Sequence, residues 1–425
     1  MVAVTVPGVG ASTVSLEATG TANQFVSQTL ANLLRVARDA STLNVQNFTG
    51  GPPPLPSGSG VNELTVTVSG LNFTLPAGYQ ALAIGNGDNA TVTGTANAAV
   101  LAGNGSLTYI GVAGNQTISG GGISSVVLPT GSTAFVALGA ANDTIVSSGS
   151  GTLAGGGGSN IFNLSGAGVG TSNLVISDSN GASGADTIVA GAGNTTVAAY
   201  SSGAATGNIS VQGGNGNLVV GGAPHGNTMV NAASGPSTIW GGGQGNLVTG
   251  GSGSILFIGL ANSTATVNGA SGPVTVFGNS GDNLQYNNPG PSGSAVMAAF
   301  GGNETLNAAG SNVAVTLSAG SGNTTLIGGS AADLLIGGSG SSSITAGAGS
   351  DTVDFYKGNA GGTNIIADFS TSDVLVLTGY GAAEAGNAVA GAVTNAGGVT
   401  ITLSDSTKIT FQGISSLTGY KITSF

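Results

Sequence analysis

Few residues of this chain have side chains that could carry out chemistry. The only histidine, His225, stands in the turn-like segment GGAPHGN with no acid beside it, and cysteine is absent. No lysine or arginine occurs over residues 39–356. Catalysis requires groups that move protons, attack or polarise a substrate, so we predict that the chain is not an enzyme. Among the acids one spacing is regular: Asp333 and Asp351 stand 18 positions apart in a glycine-rich segment.

The segment that holds this pair is a tandem repeat. Residues 319–354 divide without a gap into four nines, AGSGNTTLI, GGSAADLLI, GGSGSSSIT and AGAGSDTVD. Glycine permits the positive φ values of a tight turn, and the short aliphatic and Thr run that follows favours a strand. Because one unit cannot bury its own apolar side, we predict that the units stack, with two nines in each coil of a solenoid.

Looser copies of the same pattern, such as GGNGNLVV and GGSGSILFI, extend upstream to about residue 80. Their turns mostly carry Asn, Ser or Thr in place of Asp, and such side chains can form ladders between coils. The prediction is therefore an all-β protein, a parallel β-solenoid (β-roll or β-helix) built of short degenerate Gly-rich repeats. The single tryptophan, Trp240, ends the run STIW, and we expect it to pack inward.

The flanking segments complete the predicted organisation. Residues 22–40 have the apolar period of a helix, which would form a small cap on the solenoid. The predicted divisions are an N-terminal segment over 1–49, a Pro/Gly linker over 50–60, a degenerate solenoid over 61–318 and a distinct C-terminal roll over 319–425.

Composition narrows the classes of partner. Only 5% of the 425 residues are charged, the net charge is -11, and 80 residues are glycine, yet the mean hydropathy is +0.34. Without a basic patch we expect no nucleic-acid partner. No stretch has the length and apolarity of a membrane helix, so we expect no membrane insertion. The opening MVAVTVPGVG lacks the charged and apolar regions of a secretory signal.

The nonapeptides and the residues after them resemble the C-terminal region of RTX proteins, whose repeat is GGxGxDxUx and which bacteria export by type I secretion. The segment NIIADFSTSDVLVLTGYG is similar to that family's closing pattern, and ISSLTGYKITSF resembles its uncleaved export signal. The resemblance is specific over residues 319–414 and only suggestive over 80–318. It implies a bacterial protein at the cell surface or outside the cell, exported without an N-terminal signal peptide.

The resemblance also implies a metal site. In that family, turn carbonyls and the Asp carboxylate bind Ca²⁺ between one turn and the turn a full coil later. The corresponding residues here, in two turns of adjacent coils, are Asp333, Asp351, Gly328, Gly329, Gly347 and Gly349. The alternative is that both aspartates are ordinary turn formers, and most upstream turns lack the Asp altogether.

Three classes of function remain. Low charge, stackable coils and the export features favour a structural protein, which would assemble with copies of itself into a surface layer, biofilm matrix or fibre ordered by calcium. A cell-surface polysaccharide is a further expected partner. The alternative is an adhesin or a ligand- or ice-binding solenoid, since Thr-x-Thr occurs over 65–67, 91–93 and 264–266 without a constant register. A polysaccharide-active enzyme is a weaker alternative, because no pair of carboxylates stands out.

Overall fold

Short strands alternate with turns along the described part of the chain, in agreement with the repeat pattern. The computed structural model describes residues 2–18, 21–178, 184–200, 207–222, 224–243 and 245–425. The chain folds as two compact units, Met1–Gly226 and Asn227–Phe425.

The first unit contains an N-terminal hairpin, a long helix and a series of strands. Its elements are β1 (Val2–Pro7), β2 (Thr13–Ala18), α1 (Thr21–Asp39), β3 (Leu43–Phe48), β4 (Val61–Val66), β5 (Leu71–Thr74), β6 (Ala81–Ile84), β7 (Ala90–Thr93), β8 (Ala99–Ala102), β9 (Leu107–Ile110), β10 (Gly114–Gly120), β11 (Ser124–Leu128), β12 (Ser132–Leu138), β13 (Thr144–Ser147), β14 (Ser150–Gly156), β15 (Ile161–Asn163), β16 (Ser172–Asp178), β17 (Ala185–Val189), β18 (Asn194–Tyr200), β19 (Asn208–Gln212) and β20 (Leu218–Gly221).

The second unit consists of strands and a short helix near its C-terminus. Its elements are β21 (Thr228–Asn231), β22 (Ser237–Trp240), β23 (Gly245–Thr249), β24 (Ile255–Ile258), β25 (Thr264–Asn268), β26 (Pro273–Phe277), β27 (Asn283–Asn288), β28 (Ser294–Ala298), β29 (Glu304–Ser311), β30 (Val315–Ser318), β31 (Thr324–Ile327), β32 (Leu334–Ile336), β33 (Ser342–Thr345), β34 (Thr352–Tyr356), β35 (Thr363–Ile366), β36 (Val374–Thr378), α2 (Glu384–Ala390), β37 (Val393–Asn395), β38 (Gly398–Thr402), β39 (Lys408–Gln412) and β40 (Lys421–Ser424).

From β3 onward the strands of the first unit stack in parallel, each against the strand one coil later. Strands β4, β6, β8 and β10 form one face, and β5, β7, β9 and β11 form a second face. Leu64, Leu82, Val100 and Ile118 follow one another in register and are fully buried between the faces. These partners are 18 residues apart, so the predicted parallel β-solenoid is confirmed.

The second unit repeats this arrangement. Leu317, Leu335 and Val353 form a fully buried inward file at intervals of 18 residues. The register runs without a break through the predicted division at 318/319, which therefore lies inside this unit. At its C-terminal end β40 pairs in parallel with β36, and β37, β38 and β39 pair antiparallel.

A helix-containing cap is present at the N-terminus, as predicted. Helix α1 and the β1–β2 hairpin pack on the outer side of the solenoid, where Ala81, Ala83 and Leu101 join their apolar cluster. The Asn23 side-chain amide donates to the Gly120 carbonyl at 3.0 Å, and α1 contacts strands from β3 to β14. The cap therefore covers the side of several successive coils.

Two details differ from the sequence-based expectation. The first coil begins at Leu43, because β3 pairs with β4, and residues 50–60 connect two coils of the solenoid. The prediction that Trp240 packs inward is wrong. Ile239 occupies the inward position of β22 and is fully buried, so the alternation of the strand turns Trp240 outward, where it is 44% exposed.

Candidate metal centre

A ladder of aspartates runs along one edge of the second unit. The backbone N–H of Asp333 donates to Oδ1 of Asp351 at 2.8 Å, and the N–H of Asp351 donates to Oδ1 of Asp373 at 3.0 Å. The N–H of Val315 donates to Oδ1 of Asp333 at 2.9 Å. All three aspartates are buried. The structure thus brings the predicted pair together on adjacent coils and adds Asp373 to it.

The carboxylates of the predicted pair differ in how many of their oxygens are engaged. Asp333 Oδ2 accepts from the Gly329 N–H at 2.6 Å, so both oxygens of Asp333 accept backbone hydrogen bonds. Asp351 Oδ2 is buried and accepts none. An unsatisfied buried oxygen is costly, which makes this atom the one best placed to accept a further partner.

Electrostatics point to the same residue. Burial, followed by the negative charges of Asp333, Asp373 and Asp368, raises the pKa of Asp351 to about 6, against a lowering contribution from the Asp333 N–H. Burial also raises the pKa of Asp333, although the hydrogen bonds from Val315 and Gly329 counteract it. A bound cation would offset this accumulation of negative charge.

The two predicted turns approach each other closely. Gly347 and Gly349 have φ values of 97° and 141°, which L side chains rarely adopt. A Cβ atom on Gly347 would lie 2.2 Å from the carbonyl oxygen of Gly329, and one on Gly349 would lie 2.4 Å from that of Ala331. Carbonyl oxygens of the earlier turn therefore face the later turn, where hard oxygen ligands for Ca²⁺ would be needed.

At position 328 glycine is needed because a side chain would not fit, and not because the backbone is left-handed. A Cβ at this position would lie 2.0 Å from the Ala346 carbonyl oxygen and 2.8 Å from Asp333 Oδ2. No group of three or more His, Asp or Glu side chains in the described residues is arranged to hold a metal ion. A Ca²⁺ ion in this place would therefore depend on Asp351 and backbone carbonyls, and these donors fit a hard cation.

The first unit contains a second ladder of hydrogen-bonded acidic and amide side chains, which the sequence analysis did not predict. Asp143 Oδ1 accepts from the Ser124 N–H at 2.6 Å, Asn160 Oδ1 accepts from the Asp143 N–H at 3.0 Å, and Asp186 Oδ1 accepts from the Asn160 N–H at 2.8 Å. Burial raises the pKa of Asp143 to about 8. The sequence separations of 17 and 26 residues between the ladder members follow no fixed period, so a search for a constant repeat could not connect them.

An apolar surface occupies the outer side of the second unit. Trp240, Ile258 and Phe277 follow one another in register on adjacent strands, and Phe300 stacks on Phe277 with 5.3 Å between ring centroids. We call these four residues the apolar file. Phe300 is 63% exposed, and Val296 beside the file is also exposed.

His225, the remaining candidate residue, belongs neither to an aspartate ladder nor to the apolar file. His225 is exposed in the turn before β21. Neither of the described helices combines the length and apolarity that a membrane crossing would require.

Comparison with known proteins leaves the family of the chain open. The sequence matches no protein-family model and no curated protein, and the structure matches no solved structure. The likeness to RTX repeats over residues 319–414 therefore remains a hypothesis that rests on the motif.

Proposed function

We propose that this chain is an extracellular structural protein whose solenoid assembles with copies of itself into a surface layer, a biofilm matrix or a fibre. Calcium orders its C-terminal coils in this proposal. The observation that carries it is the apolar file, because an outward row of large apolar side chains, with Trp240 and Phe300 exposed, marks a surface for protein contact on a protein with so few charges.

The chemistry of the file supports self-association. Trp240 and Phe300 present aromatic surface to solvent, and aromatic residues are enriched where proteins bind one another. The chain carries 16 acidic and 5 basic residues, and repulsion between copies would oppose assembly. A divalent cation bound at the Asp351 turn reduces that net negative charge, so calcium would favour assembly as well as local order.

The calcium proposal rests on the Asp351 turn. The ion would lie between the turns over residues 328–333 and 346–351, with Asp351 as carboxylate ligand and the Gly329 and Ala331 carbonyls as further oxygen ligands. The backbone N–H of Asp333 would hold the two coils in register through its hydrogen bond to Asp351 Oδ1. The ion would supply charge neutralisation and would tie adjacent coils together.

Assembly is tested directly with the purified full-length protein. Samples with calcium and samples with chelator are followed by sedimentation velocity and examined by electron microscopy. Ordered sheets or fibres that form with calcium and fail to form in Trp240→Ala would support the proposal. A wild-type protein that stays monomeric at millimolar calcium and high concentration would refute it.

Export is the remaining part of the proposal, and it is supported by the RTX resemblance and the C-terminal segment ISSLTGYKITSF. Residues 366–425 joined to a folded passenger protein should carry that passenger into the medium of a bacterium with a type I exporter. If the passenger stays inside the cells while a known substrate of the same exporter is secreted, the proposed export route is wrong.

A further inference from the structure

A groove of about 800 Å³ lies on the outer side of the first unit, across β10, β12, β14, β16 and β18. Each of these strands has seven residues, whereas β8 and β20, which pair with the outermost two, have four. Helix α1 covers the second half of β10, where Ser27 and Ser119 share a hydrogen bond of 2.6 Å. The first halves of the long strands stay open and form the groove.

The floor of the groove alternates between hydroxyl and apolar side chains. One outward file reads Thr117, Phe135, Thr152, Leu174 and Thr196 in consecutive registered strands. Phe135 is 38% and Leu174 is 37% exposed. On every second strand, therefore, an apolar side chain lies between the hydroxyl groups of the two neighbouring strands.

A second file of polar side chains runs beside the first. Asn115, Thr133 and Ser150 follow one another in register, and Ser172 and Asn194 continue them on β16 and β18. The Ser172 N–H donates to Ser150 Oγ at 3.1 Å, which joins the two parts of this file. None of the residues that line the groove is ionisable. The groove thus offers amide and hydroxyl groups, with apolar surface and no charge.

We propose that this groove binds an unbranched neutral polysaccharide made of hexose units. A pyranose ring has apolar C–H faces and a rim of hydroxyl groups, which match the apolar and hydroxyl side chains of the floor. Parallel strands are about 4.8 Å apart, which is close to the length of one hexose unit. A chain lying across the strands would therefore meet the same pair of groups at regular steps.

The chemistry of the floor separates this ligand from two others. An acidic polysaccharide would require basic side chains to pair with its carboxylates, and the groove contains none. An ice surface would require a flat, uninterrupted array of one residue type, whereas Phe135 and Leu174 interrupt the Thr file. This proposal goes beyond assembly and does not depend on it, because the groove and the apolar file lie on different units.

The test is isothermal calorimetry of the full-length protein, without calcium, against cellohexaose, maltohexaose and mannohexaose, with a polygalacturonate oligomer as the acidic comparison. We expect at least one neutral oligosaccharide to bind, and the acidic oligomer to bind at least about tenfold more weakly. The variant Phe135→Ala should weaken binding about tenfold through lost stacking, which is the scale of one aromatic contact.

Two further variants keep the result interpretable. Thr152→Val preserves volume and fold but removes a hydroxyl, and it should weaken binding severalfold. Ile161→Ala removes an exposed aliphatic side chain of the first unit outside the groove, and it should leave binding unchanged. The proposal is overturned if none of the neutral sugars binds, if Phe135→Ala and Thr152→Val bind like wild type, or if the protein inhibits ice growth without binding sugar.

Discussion

The backbone N–H of Asp333 donates to the carboxylate of Asp351, one coil later, across 2.8 Å. The same type of bond links Val315 to Asp333 and Asp351 to Asp373. A turn N–H cannot join the strand ladder, and a buried one needs an acceptor, which the side chain of the next coil provides. The cost is a row of buried carboxylates whose charges repel, so the same arrangement that joins the coils favours a cation beside them.

The first prediction concerns calcium and Asp351→Asn. An amide can still accept the Asp333 N–H but supplies no negative charge, so calorimetry of the full-length chain should show calcium binding to the wild type and a large loss of affinity in the variant. Asp88→Asn is the control, because Asp88 lies in the first unit, far from this turn in sequence, and should bind calcium like wild type. Equal calcium heats from wild type and Asp351→Asn would contradict the proposed site.

The same variant has an effect without metal. The pKa of Asp351 is raised to about 6 in the folded state from 3.8, so the folded state binds the proton more tightly than the unfolded chain does. Without calcium, Asp351 should therefore contribute a loss of stability as pH rises between about 4 and about 6, and this contribution should stay constant above that range. Chemical unfolding of Asp351→Asn in chelator should show no such contribution in this window.

A pair of aromatic substitutions tests the outward position of Trp240. Phe257 lies one coil after Ile239, fully buried, so Phe257→Ala should cost about 3 to 5 kcal/mol of unfolding free energy. Trp240→Ala removes a half-exposed ring and should change stability by less than about 1 kcal/mol, while it reduces assembly. Chemical denaturation and sedimentation of both variants would measure this contrast. A large loss of stability in Trp240→Ala would mean that its ring packs against the core.

The fold was predictable where the repeat keeps its phase. The in-phase nines over 319–354 fix a coil of 18 residues, and that coil places Leu335 and Val353 inward as the structure has them. Upstream, the coil length varies, as the 26 residues between Asn160 and Asp186 show. Once the phase is lost, a strand such as STIW does not reveal which of its two faces is inward.

The sequence predicts that Asp333 and Asp351 lie close together, but it does not predict the hydrogen bonds around them. A spacing of 18 residues places Asp333 and Asp351 together, because coil length alone decides that proximity. The engagement of both Asp333 oxygens by backbone N–H groups depends on the path of the turn, which the residue pattern does not specify. The groove over β10–β18 was missed for a related reason, since its files join residues 17 to 22 positions apart.

Glu63 is a buried acid that no repeat pattern identifies. It lies in β4, directly opposite Ala81 of β6, on the side of the sheet where the N-terminal hairpin and α1 pack. It is fully buried, and neither of its carboxyl oxygens has a hydrogen-bond partner. Burial raises its pKa from 4.5 to about 8, so the carboxyl is protonated at neutral pH in the folded protein.

The last prediction is that Glu63 makes the attachment of the N-terminal hairpin sensitive to pH. The folded state holds the Glu63 proton more tightly than the unfolded chain, so stability should fall as pH rises from about 4.5 to about 8 and then level off. The loss should be roughly 4 kcal/mol, since each pKa unit corresponds to about 1.4 kcal/mol and relaxation reduces the full effect. Glu63→Gln keeps the shape without the charge and should make the decline smaller by about this amount, whereas Asp39→Asn, at an exposed position, should leave the decline unchanged. Chemical unfolding at pH 5 and pH 9, together with limited proteolysis of residues 2–39, would measure both the stability and the release of the hairpin. If wild type and Glu63→Gln lose the same stability over this range, ionisation of Glu63 does not control the contact.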